Sequence, residues 1–191
     1  MPKLVYIGYF TKDTPYQVEC QYLIGTLEQF KLPYVIYMIE NQGNWQKNTQ
    51  FKAKIIQNAL YKLQCPIVYV DCDAKIQQDP ILFNELVEKG IDFAYHMKDG
   101  KELLSGTMFM NYSNVILRLI TTWIEQIKVD KDIWEQKVLQ KILPQFPELK
   151  IYNLPPTYCQ IFDNMKHCGS PVIEHFQASR RFKSAVDTRL K

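Results

Sequence analysis

Asp71 and Asp73 stand one residue apart at the end of the apolar run Cys65-Pro66-Ile67-Val68-Tyr69-Val70. Side chains two residues apart on an extended chain point the same way, so both carboxylates can face one hard cation. Two oxygen ligands leave a divalent ion's shell incomplete, and phosphate oxygens of a substrate would complete it. The pattern alone is weak, because Asp130-Lys131-Asp132 repeats it. That second copy follows no apolar run and precedes a helical pattern, where solvated capping is the simpler role.

A companion lies far downstream. The segment His175-Phe176-Gln177-Ala178-Ser179-Arg180-Arg181-Phe182-Lys183 gathers an imidazole, a hydroxyl and three cations. Imidazole suits a divalent metal and the cations suit phosphate, although a structural histidine followed by a solvated basic tail has the same composition. Tyr9, Phe10, Thr11 and Tyr16 cluster where a first strand meets its helix. An aromatic ring there can stack on a nucleobase and Thr11 can bond base or ribose; equally, Tyr9 and Phe10 simply finish a buried strand. Lys52 opens a helix at the edge of its apolar stripe, where it either reaches a diphosphate or is only solvated. Ser105-Gly106-Thr107 offers hydroxyls and a close backbone approach to a sugar, or an ordinary loop entering a strand. Glu135 and Gln136 could bind a polyol, but Glu135 also has capping-box spacing from Asp132.

The elements that would hold these groups follow from hydrophobic periodicity. Residues 3–10 and 65–70 are near-continuous apolar runs, expected as strands buried on both faces of a sheet covered by helices. In such sheets ligands sit beyond the carboxyl ends of the strands, where the two aspartates would emerge. Thr14-Pro15 reads as an N-cap with proline at the first helical position, followed by helical spacing through Cys20, Leu23, Ile24, Leu27 and Phe30. Residues 34–39 form the next strand, residues 40–50 a polar loop, and residues 51–63 a helix. Beyond Pro80 a helix of about ten residues ends at Gly90. Residues 92–97 and 107–111 read as shorter strands joined by a polar connection. Residues 113–128 read as an amphipathic helix, the capping-box spacing of Asp132 and Glu135 precedes a helix reaching Leu143, and the tail is irregular, with at most a short strand at Val172-Ile173. Strands alternating with helices predict one α/β domain, residues 1–191, with a mainly parallel central sheet flanked by helices.

Composition excludes several classes. The chain has 191 residues, 47% of them hydrophobic and 13% aromatic, which argues against disorder. A net charge of +3 is too mild to imply nucleic-acid binding. The five cysteines include no C-x-x-C pair, so zinc and redox motifs are unsupported, and free thiols in a reducing cytoplasm are the simplest expectation. No apolar stretch is long enough to span a bilayer.

The order of these features resembles the GT-A fold glycosyltransferases, particularly the nucleotide-diphospho-sugar transferases related to glycosyltransferase families 8 and 77. Asp71 and Asp73 match that group's Asp-x-Asp in its strand context. Lys52-Ala53-Lys54-Ile55-Ile56-Gln57-Asn58-Ala59-Leu60 resembles its lysine-led helix, with Ala53 where proline is common. Ser105-Gly106-Thr107 with Asn111 resembles the donor-sugar strand. Trp134-Glu135-Gln136 with Leu139 resembles an Asp-Gln-x-x-Leu segment, with glutamate in place of aspartate. Leu154-Pro155 with Tyr158, then His175 to Arg180, resemble the closing segment, though the family-8 pattern His-x-x-Gly-x-x-Lys-Pro-Trp is not met.

The resemblance implies a GT-A-type, Rossmann-like domain holding Mn²⁺ or Mg²⁺ through Asp71, Asp73 and His175. It implies a nucleotide-diphospho-sugar donor, UDP-linked, contacted by Tyr9, Phe10, Thr11, Tyr16, Lys52, Asp71, Cys72, Ser105, Gly106, Thr107, Gln136, Ser179, Arg180 and Lys183. Transfer to a glycan, protein or small-molecule acceptor would retain anomeric configuration, with Glu135 the weak candidate for a base if it inverts. The chain's size suggests that acceptor contacts come from loops or from a partner copy in a homo-oligomer. The alternatives are a sugar-phosphate nucleotidylyltransferase, which should carry a Gly-rich loop where Tyr9-Phe10-Thr11-Lys12-Asp13 has no glycine, and a nucleotide-sugar-binding protein without turnover.

Overall fold

The computed structural model describes residues 4–186, so Lys3, at the start of the first expected strand, lies outside the described residues. The two long apolar runs form β1 (Val5–Thr11) and β3 (Ile67–Val70), separated by α1 (Tyr16–Gln29), β2 (Tyr34–Ile39), α2 (Trp45–Gln50) and α3 (Lys52–Leu63). After β3 come β4 (Ala74–Ile76), α4 (Leu82–Glu88), β5 (Phe93–Lys98), β6 (Glu102–Met110), α5 (Asn114–Val129) and α6 (Glu135–Ile142). The remainder holds β7 (Ile151–Asn153), β8 (Gln160–Ile161), β9 (Ile173–His175) and the single-turn α7 (Ser179–Phe182).

Six strands form the central sheet in the order β2-β1-β3-β6-β5-β7. Three of the five pairings are parallel; β6 runs antiparallel to both its neighbours. Both faces are covered. Successive strand residues serve opposite layers, as a two-residue period requires. Ile7, Tyr69 and Met108 pack with Ile56, Leu60, Trp123 and Leu139 on the side of α3, α5 and α6. Tyr6, Val68 and Phe109 pack with Leu23, Leu27 and Phe83 on the side of α1 and α4. Each fully buried side chain of this kind contributes about 1.5–3 kcal/mol. No helix among the described residues is long and apolar enough to cross a membrane.

Local differences from expectation have physical reasons. Thr14 does not cap α1: its hydroxyl donates to Thr11 O at 2.7 Å, and Pro15 sits at the cap with no side-chain bond. The segment expected as a loop over residues 40–50 contains α2, capped by Asn44, whose side chain accepts from Lys47 N at 2.9 Å. Ser105-Gly106-Thr107 lies inside β6 rather than in a loop before it. Helix α4 is shorter than expected, but Gly90 does take a left-handed φ of 62° after it. Periodicity revealed neither the second, three-stranded sheet, β4-β9-β8, nor the edge strand β7 of the central sheet, because these strands are two or three residues long.

Candidate active site

The carboxyl end of β3 delivers the aspartates, but a turn, not extended chain, brings them together. Asp71 N donates to Gly106 O at 2.8 Å, anchoring the turn to β6, and Ala74 N donates to Asp71 O at 3.1 Å, closing it. The small sheet then adds the histidine. Ala74 pairs with His175 across β4 and β9, and Phe176 N donates to Asp73 O at 3.0 Å. His175 Nδ1 thereby lies 3.7 Å from Asp73 Oδ1. Asp71, Asp73 and His175 each present a ligand atom within 4.8 Å of the others. Two carboxylates and an imidazole nitrogen make a mixed hard-donor set suited to a divalent ion such as Mn²⁺ or Mg²⁺.

Neighbours fix the orientation of each ligand. Ala178 N donates to Asp73 Oδ2 at 2.7 Å. Thr107 Oγ1 is 2.8 Å from His175 Nε2, so the ring's other nitrogen faces the aspartates. Gly106 makes room for that ring, since a Cβ there would fall 2.9 Å from His175 Cε1. Burial works against a charged imidazole, but Cys159 and Asp73 beside it outweigh burial and push the His175 pKa up to about 10. Burial likewise pushes Asp71 up, with Lys52 opposing. For Asp73 burial is overcome by His175 and the Ala178 N–H, which hold its carboxyl below the usual range.

Lys52 is not a solvated helix residue. It is 3% exposed, and its Nζ sits 3.1 Å from Asp71 Oδ1 and 3.0 Å from Glu135 Oε1. It also donates to Ser105 Oγ at 3.0 Å and lies 5.0 Å from the Tyr69 ring centroid. Burial disfavours the ammonium, but the two carboxylates more than compensate and keep its pKa above the ordinary value. Glu135 therefore does not form a capping box with Asp132: α6 has Trp134 at its cap with no side-chain bond, and the Glu135 carboxylate faces Lys52 and Ser105.

A cavity of about 350 Å³ opens beside this network. Tyr9, Phe10, Thr11 and Tyr16 reach it from β1 and α1; Asp71, Cys72 and Asp73 come from the turn; and Lys52, Ser105, Glu135, Gln136 and Ser179 complete the predicted groups that line it. The Tyr9 hydroxyl donates to Asn48 O at 2.8 Å. Gly106, Thr107 and His175 do not line the cavity. Thr107 is fully buried and engages His175 instead of facing a sugar. Arg180 and Lys183 border a neighbouring cleft: Arg180 pairs with Asp163, and Lys183 lies 4.6 Å from the Trp45 ring centroid.

Sequence reasoning missed Tyr69, Trp45 and Asn48. Tyr69 donates to Asp71 Oδ1 at 2.6 Å, and burial followed by Asp71 keeps its phenol well above the ordinary pKa. Trp45 meets Trp134 edge to face at 5.8 Å, and both line the cavity. An indole inside a stretch otherwise polar was the available signal.

No family model matches the sequence, and no curated protein matches it. Solved structures do. A glycosyltransferase involved in the glycosylation of the major capsid of PBCV-1 superposes with a TM-score of 0.74 at 14% identity, over 99% of this chain and 98% of that one. Mouse xyloside xylosyltransferase 1 superposes with a TM-score of 0.60 at 12% identity, over 92% of this chain and 98% of that one. The WbbM bifunctional glycosyltransferase gives 0.57 at 10% identity, over 92% of this chain and 46% of that one. At such identities the likeness establishes the fold, which is that of these glycosyltransferases.

Proposed function

We propose that this chain is a metal-dependent glycosyltransferase, moving a sugar from a nucleoside-diphosphate donor, UDP-linked, to an acceptor hydroxyl with retention of configuration. The observation that carries the reading is the Asp71–Asp73–His175 cluster at the carboxyl end of β3, beside a cavity, in a chain with this fold.

In this reading Asp71, Asp73 and His175 hold Mn²⁺ or Mg²⁺. When bound, the ion supplies Lewis-acid neutralisation of the departing diphosphate. The chain's own groups position the donor. Tyr9, Phe10, Thr11 and Tyr16 meet base and ribose, while Ser105 and Gln136 meet the sugar. Cys72 and Ser179 line the same cavity. Lys52 holds Asp71 and Glu135 in place and keeps their combined charge from repelling a diphosphate. Retention fits the state of Glu135, whose carboxylate is clamped by Lys52 and poorly placed to serve as a free base. Donor specificity for the nucleotide and the sugar rests with the cavity.

The test is incubation of the full chain with Mn²⁺ and a panel of sugar nucleotides, reading donor hydrolysis and binding. Turnover of one donor, lost with chelator and with Asp73→Ala, is the expected result. Binding without turnover would instead identify a nucleotide-sugar-binding protein, and no binding of any donor would overturn the reading.

A further inference from the structure

Beside the acidic cavity lies a cleft of about 820 Å³ with the opposite charge. Lys47, Lys131, Arg180, Arg181 and Lys183 border it, against one acidic side chain, Asp132. Two of these cations are already matched: Arg180 pairs with Asp163, and Arg181 with Glu19 at 2.8 Å. Lys47, Lys131 and Lys183 form no ion pair among the described residues. Cleft and cavity share a wall, Trp45, whose ring stands under the Lys183 ammonium and against Trp134, itself 42% exposed.

This juxtaposition has a chemical meaning. Indole faces take the apolar face of a sugar ring, and unmatched ammonium groups take an oxyanion. The donor diphosphate is not that anion, because in the functional reading it is held at the cluster of Asp71, Asp73 and His175. We propose that the cleft is the acceptor site and that the acceptor is an anionic saccharide bearing carboxylate, sulfate or phosphate. Its sugar ring takes the Trp45 face that the Lys183 ammonium now covers, and its charge meets Lys47, Lys131 and the displaced Lys183. The proposal rests on the glycosyltransferase reading. In the transfer the acceptor hydroxyl oxygen bonds the donor's anomeric carbon. The bond from that carbon to the diphosphate oxygen breaks, its electron pair leaves with the diphosphate, and the hydroxyl proton follows to it.

Two measurements test this. In the first, the full chain with Mn²⁺ and its donor is given neutral glycosides and matched uronic acid, sulfated and phosphorylated glycosides. Charged acceptors are expected to win, most clearly at low salt. The Lys47→Glu, Lys131→Glu double variant is expected to raise their KM about tenfold without an equal rise for donor. Equal use of neutral acceptors, or a matching rise in donor KM, overturns the proposal. In the second, without donor, oligogalacturonate, a neutral galacto-oligosaccharide and inorganic phosphate are titrated into ¹⁵N-labelled protein. Shifts around Trp45 and Lys131 with oligogalacturonate alone support the site. Shifts with none of them, or equally with phosphate, overturn it. Donor turnover without acceptor discrimination sinks the cleft alone; charged-saccharide binding without any donor binding sinks the glycosyltransferase reading alone.

Discussion

Thr107 Oγ1 and His175 Nε2 lie 2.8 Å apart, both residues buried, and that bond aims the ring's Nδ1 at Asp73. A hydrogen bond to the far nitrogen fixes a metal-ligating imidazole's orientation and tautomer. Thr107→Val keeps the size and removes the bond. It is expected to weaken Mn²⁺ binding by about 10–100-fold, measured by titration calorimetry. Thr107→Ser should retain most of the affinity. A valine variant that is less stable yet binds Mn²⁺ normally would show Thr107 to matter only for folding.

Gly106→Ala probes the same ring from its other side. The position is in a strand with no left-handed backbone, so alanine strains nothing except its contact with His175, where the new Cβ would lie 2.9 Å from Cε1. The imidazole must shift, and the metal cluster with it. Overpacking of this kind destabilises by about 1–3 kcal/mol. We expect a modest fall in the urea midpoint and a larger, at least tenfold, loss of Mn²⁺ affinity. Unchanged affinity would mean that His175 has room to move without leaving the ion.

Lys52→Met leaves Asp71 and Glu135 facing each other with no cation between them. Breaking a buried pair from one side is destabilising by about 3–5 kcal/mol. Because Asp71 is about a third exposed, the lower end is expected, read from urea unfolding. Glu135→Gln, which leaves Lys52 one full charge partner, should destabilise less. If Lys52→Met unfolds within about 1 kcal/mol of the parent, solvent, not Lys52, is balancing these carboxylates.

How far the sequence foretold this site depended on the range of the interactions. The alternation of strands and helices was legible because β1, β3 and α5 carry their periodicity in contiguous residues. Asp71, Asp73 and His175 were legible by residue type and by family resemblance, although the geometry joining them is a turn and a three-residue strand that no periodicity announces. Lys52 and Glu135 show what local reasoning misses. Each had a bland helical role available, solvation for one and capping for the other. Their partnership joins α3 to α6, with Ser105 of β6 beside them, and exists only once the sheet is assembled. Thr107 carried the opposite error: its hydroxyl looked ready for a sugar, but an irregularity in the β5–β6 register over residues 105–107 leaves Ser105 facing Lys52 and turns Thr107 to His175.

The pH dependence of metal binding follows from the state of His175. Its pKa in the metal-free protein is raised from 6.5 to about 10, so the ring holds a proton at neutral pH. An ion can take Nδ1 only by displacing that proton, so protons compete with the metal throughout the range below the raised value. Affinity for Mn²⁺ is therefore expected to rise about tenfold per pH unit between about pH 6 and pH 8, with about one proton released per ion bound. Titration calorimetry in buffers of different ionisation enthalpy measures the release directly. His175→Gln should flatten the profile and weaken binding at every pH. Equal affinity in the parent protein and in His175→Gln, flat with pH and with no proton released, would show that His175 is not a ligand and that the aspartates hold the ion without it.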